Sequence, residues 1–355
     1  MTAAITLDLV ADGALRLTLE RSLYRLAERW IPQGLGEPGD VPARALISVR
    51  ASPSPVPLRR PTQRPTLVLG GVAVWVDQGR PVALLRGAAP ASGGVLSLGA
   101  GRARLQVDPA GTPDAAADLY SMLTVSAALL LAGQGRALVH AAAVVAPDGD
   151  AWLLAGDARA GKSTTCATLA LGGWGYLSDD QVVLTSRDDG IEVEGWLRPF
   201  HLDEDGAGER REVAPADLGL AGWRRTAPLA GAIFPTVLPA EPTLLTPLSP
   251  ADAFARLVRQ TPWLLACRRT APAVLALLTR VVAAGAFSLR LGRDTYRNPA
   301  ILTPLIPSPW SSPPVPLSAY AERGNERAAR SSPSPHLWRG GQGVRTGRAS
   351  CRCVP

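Results

Sequence analysis

Lysine is nearly missing from this chain: of its 37 basic residues, 36 are arginine and one, Lys162, is lysine. Histidine and cysteine are scarce too, at three and four residues in 355. That scarcity excludes the usual zinc modules, because they need two spaced ligand pairs and no C-x2-C pair or histidine-rich run occurs. Cys166 and Cys267 stand alone in the sequence, while Cys351 and Cys353 fall near its end. Isolated thiols of this kind read as small buried side chains in a reducing compartment. Residues 1–17 lack the basic region, apolar run and small-residue cleavage site of a secretory signal. The longest helical apolar stretch, residues 122–132, falls short of a membrane span. These absences point to a cytoplasmic protein with no membrane partner.

What is present is a core-forming composition, 46% apolar, which argues against global disorder. The formal charge of +7 raises the question of nucleic acid, and its placement answers it. From residue 301 onward seven arginines face two glutamates, so the preceding body carries only about +2. The arginines there are scattered, with no dense stripe and no interleaved aromatic run, and no nucleic-acid partner is expected.

The pattern divides the chain into three regions. Residues 1–114 read as β-rich, with a strand at 5–10, a short amphipathic helix around 19–30, and strands at 45–49, 66–76, 82–85, 95–98 and 102–107. Residues 115–300 read as an α/β unit with a mixed sheet. A helix at 114–131 precedes strands at 137–145 and 152–155, a helix at 162–171, and a hairpin of 182–185 with 191–197. Helices at 250–259 and 272–284 and a strand at 286–291 follow. Residues 301–355 hold nine prolines and no sustained periodicity, the composition of a disordered tail.

Gly156-Asp157-Ala158-Arg159-Ala160-Gly161-Lys162-Ser163, followed by Thr164, fits the G-x-x-x-x-G-K-[ST] pattern of a P-loop (Walker A). Glycine lets the backbone turn so that successive N–H groups face phosphate oxygens. The helix beginning near Lys162 adds its positive end. Lys162 brings a compact cation to the β/γ-phosphates, and Ser163 offers a hydroxyl to Mg²⁺. The solitary lysine of an arginine-rich chain therefore stands where arginine would serve poorly. Asp179-Asp180 lies one helix and one short strand beyond the loop. ATP with Mg²⁺ calls for one carboxylate at the metal and, in a kinase, another at the hydroxyl nucleophile. Adjacent acids on an extended segment point apart, so one can serve each task. His140 sits one strand ahead of the loop, where its imidazole can reach phosphate or the acids. His201 and His336 have no such context.

The combination of His140-Ala141-Ala142, Gly156 to Ser163, and Leu177-Ser178-Asp179-Asp180 resembles the C-terminal catalytic domain of HPr kinase/phosphorylase and its relatives. That fold is distantly similar to phosphoenolpyruvate carboxykinase, and the relatives include kinases encoded beside lasso peptides. The resemblance implies a P-loop kinase core in which Lys162 contacts phosphate, Ser163 binds magnesium, and Asp180 accepts the proton of a serine hydroxyl. It implies Asp179 as the metal- or network-side neighbour and His140 as a supporting active-site residue. Glu192, in Glu192-Val193-Glu194-Gly195, is the candidate for the family's glutamate ligand. The Gly-Arg-Asn-like stretch that supports both activities of true HPr kinase/phosphorylases is absent. The expectation is thus a serine/threonine kinase acting on another protein or peptide, and the resemblance permits a homo-oligomer. The same loop also suits a nucleotide-dependent regulatory ATPase or switch, in which an acid activates water instead.

Overall fold

A computed structural model describes residues 3–306 apart from 29, 33–34, 36–37, 39, 57–60, 111, 203–210 and 221. The expected tail beyond 306, with His336, Cys351 and Cys353, lies outside the described residues. The described residues belong to one compact unit, Met1–Ser312. It holds two large mixed sheets.

The first sheet comprises β1 (Ala4–Val10), β2 (Leu15–Glu20), β3 (Leu46–Ala51), β4 (Leu67–Leu69), β5 (Val72–Asp77), β6 (Val82–Arg86), β7 (Gly93–Ser97) and β8 (Arg102–Val107). Their spatial order is β1-β2-β3-β8-β7-β6-β5-β4, antiparallel except where β3 lies parallel to both β2 and β8. The helix expected around 19–30 is present in shorter form: Leu19 and Glu20 end β2, Arg21–Leu23 form a 3-10 turn, and the short helix α1 (Tyr24–Ala27) follows. Leu15, Leu17 and Leu19 alternate with Arg16, Thr18 and Glu20, and all three leucines are fully buried. That two-residue period belongs to a strand with one face on a core. The strand expected over 66–76 is two strands, since Gly70 and Gly71 both take positive φ and make the tight turn between β4 and β5.

Helix α2 (Pro113–Ala132) runs between the two halves of the molecule. Thr112 caps it by accepting from the Ala115 N–H, and Pro113 fills the first helical position, where no N–H is needed. The helix is longer than its apolar stretch suggested, and by length and composition it could cross a membrane. Its most apolar window is 78% buried inside the fold, which is the behaviour of a core helix. It packs on β2, β3, β5, β7 and β8 from one side and on β9 and α5 from the other.

The second sheet holds β9 (Ala137–Val145), β10 (Ala151–Ala155), β11 (Gly175–Ser178), β12 (Gln181–Arg187) and β13 (Gly190–Gly195). A small hairpin of β14 (Phe200–Leu202) with β15 (Arg211–Val213) follows. The sheet is completed by β16 (Thr226–Val237), β17 (Leu244–Pro247) and β18 (Ala286–Leu291). Its helices are α3 (Lys162–Leu171), α4 (Pro250–Arg259) and α5 (Ala271–Ala284), followed by the short α6 (Arg293–Arg297) and α7 (Leu302–Leu305). Pairings run β9–β12–β13–β16–β10 and return to β9, closing a ring. β16 lies parallel to β10 and β18, so the C-terminal ends of these three strands share one edge. Along β9, Val139, Ala141, Ala143 and Val145 enter the core under α4 and α5, while Ala142 and Val144 enter the core under α3. Both faces are covered, hence the continuous apolar run. Residues 301–306, expected to be tail, belong to the second of these cores, with Leu302 and Ile306 buried and α7 packed against α3.

Asp118 of α2 is buried and accepts from the backbone N–H groups of Ala88 (3.0 Å) and Ala89 (2.9 Å), which fixes the turn after β6. Replacing it with alanine leaves two shielded donors without a partner. Asp118→Ala is expected to cost about 2–4 kcal/mol in urea unfolding, and a loss below about 0.5 kcal/mol would rule out the latch.

Candidate active site

The register of β9 assembles the site. On one side Ala155, the last residue of β10, pairs with Ala141, so the glycine-rich loop begins beside His140. On the other side Ser178 pairs with Ala143 and Gln181 with His140. Asp179 and Asp180 therefore interrupt one continuous ladder directly across from the loop. Neighbouring strands are about 4.8 Å apart, so loop and acids flank β9 within about 10 Å.

Gly156 to Gly161 connects β10 to α3. Gly161, at the N-cap, has φ of 97°, and a Cβ there would come within 2.6 Å of Leu291 at the end of β18. The position therefore needs glycine on both conformational and steric grounds. No side chain caps α3, which leaves its first N–H groups and its positive end available to an anion. Arg159 also takes a left-handed conformation, with φ of 65°. Lys162 is buried and donates to the carbonyls of Gly156 (2.7 Å) and Asp157 (3.2 Å). Ser163 and Thr164 are half-buried in the first turn of α3.

Asp180 is engaged at both oxygens. His140 Nδ1 lies 3.0 Å from Oδ1, and Oδ2 accepts from the Tyr120 hydroxyl (2.7 Å) and from Arg198 (3.4 Å). Burial alone would raise its pKa. The hydrogen bond from His140, the charge of Arg198 and the Tyr120 hydroxyl outweigh it and hold the carboxyl well below the usual carboxylate range. Arg198 is itself fixed, lying over the rings of Trp30, Tyr120 and Trp196 and donating to the Trp30 carbonyl.

Asp179 behaves oppositely. It is 3% exposed, and burial pushes its pKa up against hydrogen bonds from His201 and the Ser163 hydroxyl. Its Oδ2 accepts from the His201 backbone N–H at 3.2 Å, with His201 Nδ1 at 3.7 Å. The hydrogen bond to Asp179 in turn raises the His201 pKa. Asp179 Oδ1 has no hydrogen-bond partner. A buried carboxylate oxygen without a donor, close to a serine hydroxyl, fits a Mg²⁺ ligand pair. Among the described residues no cluster of three or more His, Cys, Asp or Glu side chains could hold a metal alone. Mg²⁺ commonly takes one or two protein ligands and completes its shell with water and phosphate oxygens.

The structure does not bring Glu192 to this place. It lies opposite Thr185, five residues beyond Asp180 along β12, roughly 16 Å away at strand spacing. Its carboxylate pairs with Arg187 at 2.5 Å across the hairpin. Strand alternation and the local arginine decide its place, and Glu194 points elsewhere, to Arg225 and the Ala11 N–H.

Three residues of the site carry no local signal in the sequence. Tyr120 and Arg198 reach Asp180 from α2 and from the segment after β13. His201, which lacked sequence context, meets Asp179 because β14 returns beside α3. Cys166 lies fully buried beneath the acids as a free thiol, its pKa raised by burial and by Asp179.

The loop also borders a cleft of about 360 Å³. Ala155 to Ala160 form one wall, the end of β16 from Phe234 to Val237 forms the floor, and Arg256, Arg259 and Gln260 of α4 and its cap close it. Gln260 joins these parts, donating to Asp157 Oδ1 (3.2 Å) and accepting at its carbonyl from the His140 N–H (3.0 Å).

No protein-family model matches the chain, and no curated protein matches it. Among solved structures it is similar to the Hpr(Ser) kinase/phosphatase from Coxiella burnetii, with a TM-score of 0.28 and 13% identity over 54% of this chain and 98% of that one. A likeness at that level assigns no reaction.

Tyr120→Phe removes one neutral donor to an ionised carboxylate. A loss of about 1.5–3 kcal/mol in denaturant unfolding is expected, with the fold retained. An unchanged unfolding midpoint would show that the Tyr120 hydroxyl does not support Asp180.

Proposed function

We propose that this chain is an ATP-dependent kinase that phosphorylates a serine or threonine hydroxyl of a protein or peptide, in the manner of HPr-kinase-like enzymes. One observation carries the reading: β9 places a G-x-x-x-x-G-K-S loop on one side of His140 and a carboxylate held ionised by that histidine on the other. The loop would act as a P-loop, its N–H groups and the head of α3 meeting phosphate oxygens. Lys162 would exchange its bonds to the Gly156 and Asp157 carbonyls for the phosphates.

Ser163 and Asp179 would hold Mg²⁺, which when bound neutralises charge on the β- and γ-phosphate oxygens. The acceptor oxygen forms a bond to the γ-phosphorus as the bond to the β–γ bridging oxygen breaks, giving a phosphorylated residue and ADP. The hydroxyl proton leaves to Asp180, whose other contact, His140 Nδ1 at 3.0 Å, keeps the carboxylate oriented. A carboxylate of low pKa is a weak base, but the loose transition state of phosphoryl transfer asks little of the base before the new bond forms. Asp180 thus orients the hydroxyl first and takes up charge second.

Radiolabel from γ-labelled ATP should pass to serine or threonine in proteins or peptides encoded beside this gene. Asp180→Asn should keep nucleotide affinity and lower transfer by about 10²–10⁴-fold. Lys162→Ala should lower transfer by about 10²–10³-fold and weaken nucleotide binding. Transfer at the wild-type rate in Asp180→Asn would remove the base assignment. Release of labelled phosphate to water, with no labelled acceptor, would make the protein a regulatory ATPase instead.

A further inference from the structure

We propose that Arg256 and Arg259 form a phosphate-binding subsite facing the outer half of the glycine-rich loop, and that it takes the terminal phosphate of the nucleotide donor. The inference rests on the reading of this edge as a kinase site and assigns it two binding residues.

Four observations converge on it. The two arginines are three positions apart on α4, on one face of the helix, and both line the cleft whose opposite wall is the loop from Gly156 to Ala160. Their place is fixed relative to the loop, because Gln260 at the end of the same helix binds Asp157 through its side chain and His140 through its carbonyl. The Arg256 guanidinium carbon lies 5.7 Å from the centroid of the Phe234 ring, a cation–π contact that helps hold the side chain at the cleft. Finally, neither arginine nor Arg159 forms an ion pair among the described residues, and Asp157, engaged by Gln260, is the sole carboxylate lining the cleft. The cleft therefore sets three guanidinium groups against one carboxylate.

The position along the nucleotide follows from Lys162. A lysine at this point of such a loop serves the β- and γ-phosphates. Here its Nζ rests against the carbonyls of Gly156 and Asp157, the same residues that face the arginines. The terminal phosphate would therefore lie on the side of the loop that faces α4, and the α-phosphate toward Thr164, beyond the metal-binding Ser163. The cleft also lies at the C-terminal ends of the parallel strands β10 and β16. A competing explanation is that both arginines only offset the negative end of the α4 dipole. That role would alter stability and leave nucleotide preference untouched.

The test compares ATP and ADP affinities, by titration calorimetry with Mg²⁺, in the full-length protein and in Arg256→Gln, Arg259→Gln and the corresponding lysine variants. Each glutamine variant should weaken ATP about tenfold and ADP less than about threefold, as expected for losing one charge-assisted contact to the terminal phosphate. The lysine variants, which keep the charge and lose the planar fork, should fall between. If a glutamine variant does not fold, the ATP/ADP ratio of its lysine counterpart decides. Unchanged affinities, an equal loss for both nucleotides, or a loss confined to the acceptor KM would each overturn the subsite. In those cases loss of both nucleotides in Lys162→Ala would leave the kinase reading intact. A wild-type protein that binds neither nucleotide would overturn both.

Discussion

The site depends on keeping one shielded carboxylate charged. Removing a carboxylate from water costs several kcal/mol unless donors replace the lost hydration. Asp180 meets that demand with groups from three separate segments: His140 on β9, Tyr120 on α2, and Arg198 after β13. Each is secured in turn. Arg198 is packed among Trp30, Tyr120 and Trp196, and Trp30 donates to Thr124 on α2. The β-rich region is consequently more than an appendage, because the core of the first sheet includes Trp30, Trp196 and most of α2. Packing far from the loop thereby sets the protonation state of the acid beside it.

The adjacent acid answers to a different environment. Asp179 is buried with one oxygen unsatisfied and is pushed toward the neutral form, while Asp180 is pushed toward the charged form. Two carboxylates displaced in opposite directions are how a single fold separates roles at one pH. A bound cation would reverse the shift at Asp179, since a metal is the largest local charge in its site. On the proposed reading, occupancy of the metal position and ionisation of Asp179 would be linked, whereas Asp180 is ionised beforehand.

Local pattern was enough for the elements that form the loop. The bounds of α3, the run of β9 and the extent of α4 follow from periodicity, proline at helix starts and the glycine signals. Three features escaped it for identifiable reasons. β2 escapes local reading because its last two residues, Leu19 and Glu20, run directly into the helical turns that begin at Arg21, and only burial on one face marks the strand. β16 was not anticipated at all. Pro228, Gly231 and Pro235 interrupt its sequence, and prolines argue against a central strand unless their missing N–H falls where no ladder bond is needed. The contacts of Tyr120, Arg198 and His201 depend on chain returns spanning tens of residues, which no local spacing encodes. The glutamate ligand failed for a related reason, since a plausible residue after an acidic pair lands at the far end of a strand once the ladder fixes its register.

The division of labour between lysine and arginine follows the same logic of space. Lys162 must fit beneath a tight loop, reach two carbonyls that converge on one point, and remain able to release them. A compact ammonium on a flexible stem does this, and a planar guanidinium would need room for five donors held in a fork. Across the cleft the demand is reversed. Arg256 lies over Phe234 and faces an open volume, where a flat cation gains from the ring and can present two parallel donors to a phosphate. A chain that uses arginine at every other basic position thus keeps its one lysine where the geometry has no space for a fork.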